Sequence, residues 1–415
     1  MNCVKYSFLL ILSITLVACK EKSTTVVTPW GTTISTDGER TDMDSTRTDD
    51  RVGEGYSLDD IKQGGEMIML TLYGPETFYD HHGRSMGVHY LLCQSFAEHL
   101  GVRLRVDVCR DTTEMLSRLR KGEADIIAYP LNLKKSTEFV TCAAGWTVNN
   151  ACHSLAEAVK QWYTPAMLGD AKKQEQRLLS AGSVTRHVYP VMLAPGKGQI
   201  SAYDHLFRKY SATAGVDWVM LAAQCYQESC FDPKAHSWAG ACGLMQIMPS
   251  TADHLQLQRS QMYEPEPNVA AAARLLRELQ GQFSDVGSPA ERIKFALASY
   301  NAGYHHIRDA MALTKKYGGI SQRWTDVKRY VLLLMREEYY RDPVVKHGYM
   351  RGTETANYVD MITERHAAYR EALRTGKAIT SAVKSKNYDP DNFAAPLSGS
   401  AAAHRAAKKN KWRKE

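Results

Sequence analysis

Residues 226–252 read YQESCFDPKAHSWAGACGLMQIMPSTA, and this stretch decides the fold. The preceding DWVMLAAQCYQES has Asp217 as a helix N-cap and mostly apolar Val219, Leu221, Ala222, Cys225 and Tyr226 behind it. Asp232-Pro233 marks the helix exit. Glu228 is thereby placed in the last turn of a largely buried helix. The negative end of the helix dipole and apolar neighbours both disfavour its ionised form. A glutamate whose pKa is raised suits general acid chemistry near neutral pH. A glutamate at a helix end is more often a solvated surface group, so its neighbours decide the matter.

Those neighbours follow in three blocks. Gly240 and Gly243 give the backbone room around Cys242, then come the polar Gln246 and Pro249 at a new helix start. SPAERIKFALASYNAG opens with Ser288, Pro289 and Glu291 in a capping-box arrangement and runs into Tyr300 and Asn301 before Gly303. ETANYVDMITERHAAY starts a further helix carrying Tyr358. Helical periodicity dominates from Ile200 to about Leu373.

In order, the chain holds Glu228-Ser229, Gly243-Leu244-Met245-Gln246, Ala298-Ser299-Tyr300-Asn301, and Glu354-Thr355 followed by Tyr358-Val359. Together these resemble the signatures of the soluble lytic transglycosylase domain, which shares the goose-type lysozyme fold. The resemblance implies cleavage of the β-1,4 bond between N-acetylmuramic acid and N-acetylglucosamine, with Glu228 as the catalytic acid and then base. It implies that Ser229, Met245, Gln246, Tyr300, Asn301 and Tyr358 bind substrate, Tyr358 also orienting the acid. Most glycosidases need two carboxylates; the family uses one, because the muramic C6 hydroxyl attacks in place of water and yields a 1,6-anhydro sugar. Two other readings stay open here: a lysozyme-type peptidoglycan hydrolase, and a non-catalytic envelope lipoprotein that binds sugar or solute.

Upstream, residues 65–171 read as alternating strand and helix. MIMLTLYG is a strand, GVHYLLCQSFAEHLG sets Val88, Leu91, Leu92, Phe96 and Leu100 on one helix face, and VRLRVDV alternates apolar and charged residues. TTEMLSRLRKG and ADIIAYPL continue the alternation, which predicts a parallel sheet. This segment resembles the first lobe of an amino-acid-type periplasmic solute-binding domain, with Gly122 and Asp125 on that family's G-x-x-D pattern. Between Leu131 and Gly145 the family inserts a second lobe of about a hundred residues, a typical small-domain length; here about a dozen residues stand instead. A solute-binding-like domain followed by a transglycosylase domain is the layout of the membrane-bound lytic transglycosylase F family. The expected fold is thus multidomain, an α/β half followed by a mainly α, lysozyme-like half.

The chain ends carry the remaining expectations. Lys5 and the short apolar run YSFLLILSITLVA read as a signal peptide over residues 1–18. The run ends in LVAC, Leu16 to Cys19, which resembles the bacterial lipobox and predicts lipidation of Cys19. Lys20 rather than an acidic residue follows, which favours the outer membrane, facing the periplasm. Residues 19–64, rich in Thr, Ser and Asp, read as a disordered tether, 172–201 as a linker, 202–374 as the transglycosylase domain, and 375–415 as a basic tail. A net charge of +7 is too weak to point to nucleic acid. The expected partners are peptidoglycan glycan strands and, through the lipid, a membrane.

Of nine cysteines, Cys3 leaves with the signal and Cys19 takes the lipid. The other seven fit either small buried side chains or, for Cys230 and Cys242 bracketing the loop after Glu228, a disulfide. No Cys/His spacing predicts a structural metal, and no cofactor is expected.

Overall fold

The computed structural model describes residues 57–393, apart from 132, 134–135, 181–183, 188, 191 and 380–382, together with the backbone of two short strands, β1 (Thr25–Val27) and β2 (Thr33–Ser35). These two strands pair with each other within a first unit, residues 1–49; the rest of the chain forms a second. The expected signal peptide, Cys19 and the basic end of the tail lie outside the described residues.

Regular structure lies within the expected tether, 19–64, as well as beyond it. Ser57 caps helix α1 (Leu58–Gly64) through a reciprocal capping box with Asp60. A five-stranded sheet follows, in the order β6–β3–β7–β9–β8. Strand β3 (Glu66–Thr71) is parallel to β6 (Arg103–Val108) and β7 (Ile126–Ile127). The expected parallel arrangement holds for these three strands; beyond them β9 (Thr147–Asn149) runs antiparallel to β7, and β8 (Phe139–Thr141) antiparallel to β9. The connection after β7 is too short for a helical crossover, so the chain returns as a hairpin. Asp125 is buried and accepts the Ile68 N–H at 2.7 Å, tying the start of β7 to β3.

Helix α2 (Val88–Leu100) buries Val88, Leu92 and Phe96 against one face of the sheet, beside α4 (His153–Trp162). The other face packs on α3 (Thr112–Arg120) through Met115 and Leu119. Between β3 and α2 the chain makes a projecting hairpin, β4 (Tyr79–His81) with β5 (Arg84–Met86).

Helix α5 (Pro165–Leu179) crosses the expected boundary at residue 171, so the linker begins only after it. Glu175 of α5 is buried and accepts the Tyr79 hydroxyl at 3.0 Å. The link then forms β10 (Val184–Thr185), paired with β11 (His236–Ser237) of the second half.

That half is helical: α6 (Asp204–Ala214), α7 (Trp218–Ser229), α8 (Pro249–His254), α9 (Pro265–Gln282), α10 (Pro289–Ala302), α11 (Tyr304–Lys316), α12 (Trp324–Leu333), α13 (Glu337–Tyr340) and α14 (Gly352–Thr375). They enclose one core in which Leu221, Leu244, Phe295, Leu297 and Ile362 are fully buried. Ser288 caps α10, but Glu291 does not complete the expected box; its carboxylate takes Lys294 and the Trp324 N–H.

The two halves share packing. Tyr79 and Met86 of the hairpin join the helical core, and Tyr79 meets the edge of Tyr349 with ring centroids 5.0 Å apart. Gly348 lies so close to Tyr73 that a Cβ there would stand 2.3 Å from the ring. The first part of the expected tail also packs back. Tyr388 donates its hydroxyl to Asp360, Lys386 N–H donates to Asn357 Oδ1 at 2.6 Å, and Asp391 pairs with Arg336.

Candidate active site

Asp217 caps α7, accepting the Met220 N–H at 3.0 Å. The helix carries Glu228 in its last turn and ends at Cys230 in the left-handed conformation, φ 54°. Phe231 follows at φ 65°, so the chain leaves the helix abruptly. Asp232 is buried and fixes this exit, accepting the Lys234 N–H at 2.9 Å and the His187 N–H at 2.7 Å.

The loop then returns beneath Glu228. Ser229 donates to Leu244 O at 2.8 Å, and Tyr300 donates to Met245 O at 2.7 Å. Asn268, fully buried, donates to Cys242 O at 3.0 Å and Met262 O at 2.8 Å and accepts the Met245 N–H at 2.8 Å. One side-chain amide thus satisfies three loop backbone groups. Gly243 has φ 79°, and a Cβ there would meet Met262 O at 2.4 Å. Gln246 adopts φ 46°, and its side-chain nitrogen donates to Ala235 O and Gly243 O.

Glu228 faces α14. The Tyr358 hydroxyl donates to Glu228 Oε1 and accepts from Gln224 Nε2 at 3.2 Å. Burial pushes the Glu228 carboxyl up to about 7, against the Tyr358 hydrogen bond and the positive fields of His82 and Arg186. The acid form is therefore well populated at neutral pH.

His82 belongs to the β4–β5 hairpin of the α/β half, yet its Nε2 lies 2.6 Å from Glu354 Oε1 on α14. His81 Nε2 lies 3.5 Å from Glu354 Oε2, and its ring stacks on Trp238. Burial opposes charge on His82, but the bond to Glu354 and its negative charge raise the imidazole pKa. Burial alone would raise Glu354, but His82, His81 and Arg351 hold it down to about 2. Thr355 donates to Asn301 Oδ1 at 2.8 Å, joining α14 to the end of α10.

The structure joins Glu228 to Tyr358 directly and Tyr300 to the Met245–Gln246 loop, while Asn301 is held by Thr355 and lines a small cavity with His82 and Glu354. Ser229 and Met245 lie among them, but both side chains are fully buried and face the core. These two support the loop from beneath. The expected Cys230–Cys242 disulfide is absent. Neither forms a disulfide: Cys242 Sγ lies 3.5 Å from His236 Nδ1, and Cys230 serves as the helix cap. Sequence reasoning missed Asn268, His81 and His82, and gave Glu354 only as part of a motif, without its histidine partners. Asn268 left one signal, a polar residue on an otherwise apolar face of NVAAAARLL.

Residues 205–322 match the transglycosylase SLT domain family model. Membrane-bound lytic murein transglycosylase F of Desulfosudis oleivorans is 40% identical over 181 residues, covering 44% of this chain and 38% of that protein. The chain therefore spans about two fifths of the length of that relative. The Aeromonas hydrophila protein of the same name is 26% identical over 418 residues, covering 74% of this chain and 82% of its own. Among solved structures, the 70-kDa soluble lytic transglycosylase of Escherichia coli is 25% identical, with a TM-score of 0.29 over 41% of this chain and 24% of that one. Residues 205–322 are thus similar to the transglycosylase SLT domain family, and the chain is similar to membrane-bound lytic murein transglycosylase F over up to 74% of its length.

Proposed function

We propose that the protein is a peptidoglycan lytic transglycosylase, cleaving the β-1,4 bond between N-acetylmuramic acid and N-acetylglucosamine to leave a 1,6-anhydro-muramic end. The observation that carries this reading is a single available acid. Glu228 is partly buried, held by Tyr358 and raised to about 7. The neighbouring carboxylate, Glu354, is engaged by His82 and His81. A hydrolase with two working carboxylates needs a second one free to act as base or nucleophile.

Glu228 gives its proton to the glycosidic oxygen as the bond to the anomeric carbon breaks, and the substrate N-acetyl group assists at that carbon. The resulting Glu228 carboxylate takes the proton of the muramic C6 hydroxyl, whose oxygen closes on the anomeric carbon. The proton ledger balances with substrate and Glu228 alone, so the step calls for no cofactor. An acid that must become a base works best with a pKa near the ambient pH. Tyr358 holds the carboxyl in place through both stages, and Gln246, Tyr300 and Asn301 line the sugar cleft.

In this reading Cys19 carries a lipid that fixes the enzyme to the outer membrane, facing the periplasm. The relatives' description as membrane-bound supports attachment, and each buried lipid CH₂ contributes roughly 0.8 kcal/mol. Among the described residues no helix is long and apolar enough to cross a membrane.

The test is mass spectrometry of products from purified sacculi, treated with the lipid-free protein or its Glu228→Gln variant. Anhydro-muramic ends that vanish with the variant are expected. Reducing ends would move the protein to the lysozyme-type hydrolases, and binding without products to the non-catalytic lipoproteins.

A further inference from the structure

The hairpin residues that reach Glu354 form a cluster the reaction above does not use. Successive side chains of a strand point to opposite faces. His81 ends β4, but His82 lies in the two-residue turn to β5, at φ 49°, so both imidazoles can reach one carboxylate. The ligand atoms of His81, His82 and Glu354 all lie within 4.8 Å of one another. They line a small cavity of about 20 Å³, together with Asp80, Asn301 and His306. That is room for one ion or water. His306 is buried, and its Nδ1 has no hydrogen-bond partner.

We propose that His81, His82 and Glu354 form a binding site for one divalent transition-metal ion of the zinc class, bridging the α/β and helical halves beside Glu228. Two imidazoles and one carboxylate suit zinc or cobalt rather than calcium or magnesium, and three protein ligands leave a fourth position open. Bonds of the usual length set tetrahedral donors about 3.3 Å apart. His81 Nε2 and Glu354 Oε2 already stand at 3.5 Å. His82 Nε2 and Glu354 Oε1, at 2.6 Å, need only open by less than an ångström as the ion replaces the hydrogen between them. Arg351 Nε approaches Glu354 no closer than 3.7 Å, so its charge opposes the ion without occupying the oxygen, and Asp80 offsets it from the cavity wall.

The claim concerns binding and does not rest on the transglycosylase reading. Full-chain protein stripped with a chelator is titrated with zinc by calorimetry, and with cobalt by visible absorption. One saturable site is expected, with the intense d–d bands of four-coordinate cobalt and a melting temperature that rises with zinc. His82→Ala and Glu354→Gln each weaken zinc binding at least tenfold and abolish the melting shift. His81→Ala does the same and serves as the second probe should either variant fail to fold, judged by circular dichroism. Cys242→Ala leaves the titration unchanged, separating this site from the Cys242–His236 pair. No saturable binding below millimolar zinc, or wild-type affinity in the folded His variants, overturns the proposal.

Discussion

Tyr358 holds Glu228 by a hydrogen bond that spans 130 residues of sequence, its hydroxyl oxygen in turn accepting from Gln224 on the same helix as the acid. The bond opposes the effect of burial, which alone would drive the carboxyl higher. Tyr358 therefore sets both the direction and the strength of the acid.

Tyr358→Phe removes that bond and leaves Gln224 Nε2 without its acceptor. The Glu228 pKa then rises further above 7, so the alkaline limb of the pH–rate profile moves to higher pH. A hydrogen bond to a charged group is worth about 1.5–3 kcal/mol, so turnover should fall roughly ten- to hundredfold. Rates of muropeptide release across pH 5 to 9 check both effects; an unmoved limb removes Tyr358 from the acid's environment.

Glu228→Gln should stabilise the fold in a pH-dependent way. The folded pKa is raised above the unfolded one, so wild-type stability is full below about 4.5 and declines as pH rises through about 7. The amide carries no such loss. Its advantage should be small at pH 5 and grow by pH 8 toward an upper limit of roughly 3 kcal/mol, reduced by the partial exposure of the group. Thermal unfolding at the two pH values measures the difference, and equal gains at both would contradict it.

Asn268→Ala strips three loop backbone groups of their partner at once. Each buried orphan costs about 1–3 kcal/mol, so the loss should exceed roughly 3 kcal/mol in urea unfolding. Activity should fall as well, because the Met245–Gln246 backbone that receives Tyr300 is released. A variant with wild-type stability would show that the loop holds itself.

Gly348→Ala places a methyl 2.3 Å from Tyr73 at φ 69°, a conformation side chains seldom adopt. Tyr73 cannot withdraw freely, since its ring packs against Phe78 with centroids 6.0 Å apart. The expected cost is above about 2 kcal/mol, felt as weakened docking of the two halves. Calorimetry should resolve two melting transitions where wild type shows one. Tyr73→Ala in the same chain should restore part of the loss by opening space.

What could be read from the sequence was what repeats locally. Apolar spacing placed α2, α7 and α10, and the motif blocks placed Glu228 beside Tyr358 and Tyr300. The strand–helix alternation gave the parallel β3, β6 and β7, but not the antiparallel β8 and β9, each three residues long and too short for any period to set its direction. Met245 and Ser229 sit in motifs that face the cleft through backbone rather than side chains, a distinction residue identity does not carry. The His82–Glu354 contact joins residues 272 positions apart and rests on one left-handed backbone angle. Spacing alone left open whether Cys230 and Cys242 pair, and they stand as thiols.

The charges acting on Glu228 have separate addresses along the chain. The hydroxyl comes from α14, Arg186 from the segment joining the halves, and His82 from the α/β half. Acidity here is a jointly owned property, assembled only when the polypeptide has closed on itself. A helical half of identical sequence, cut loose, would be a different acid. Substitutions in the α/β half can therefore move the pKa of Glu228.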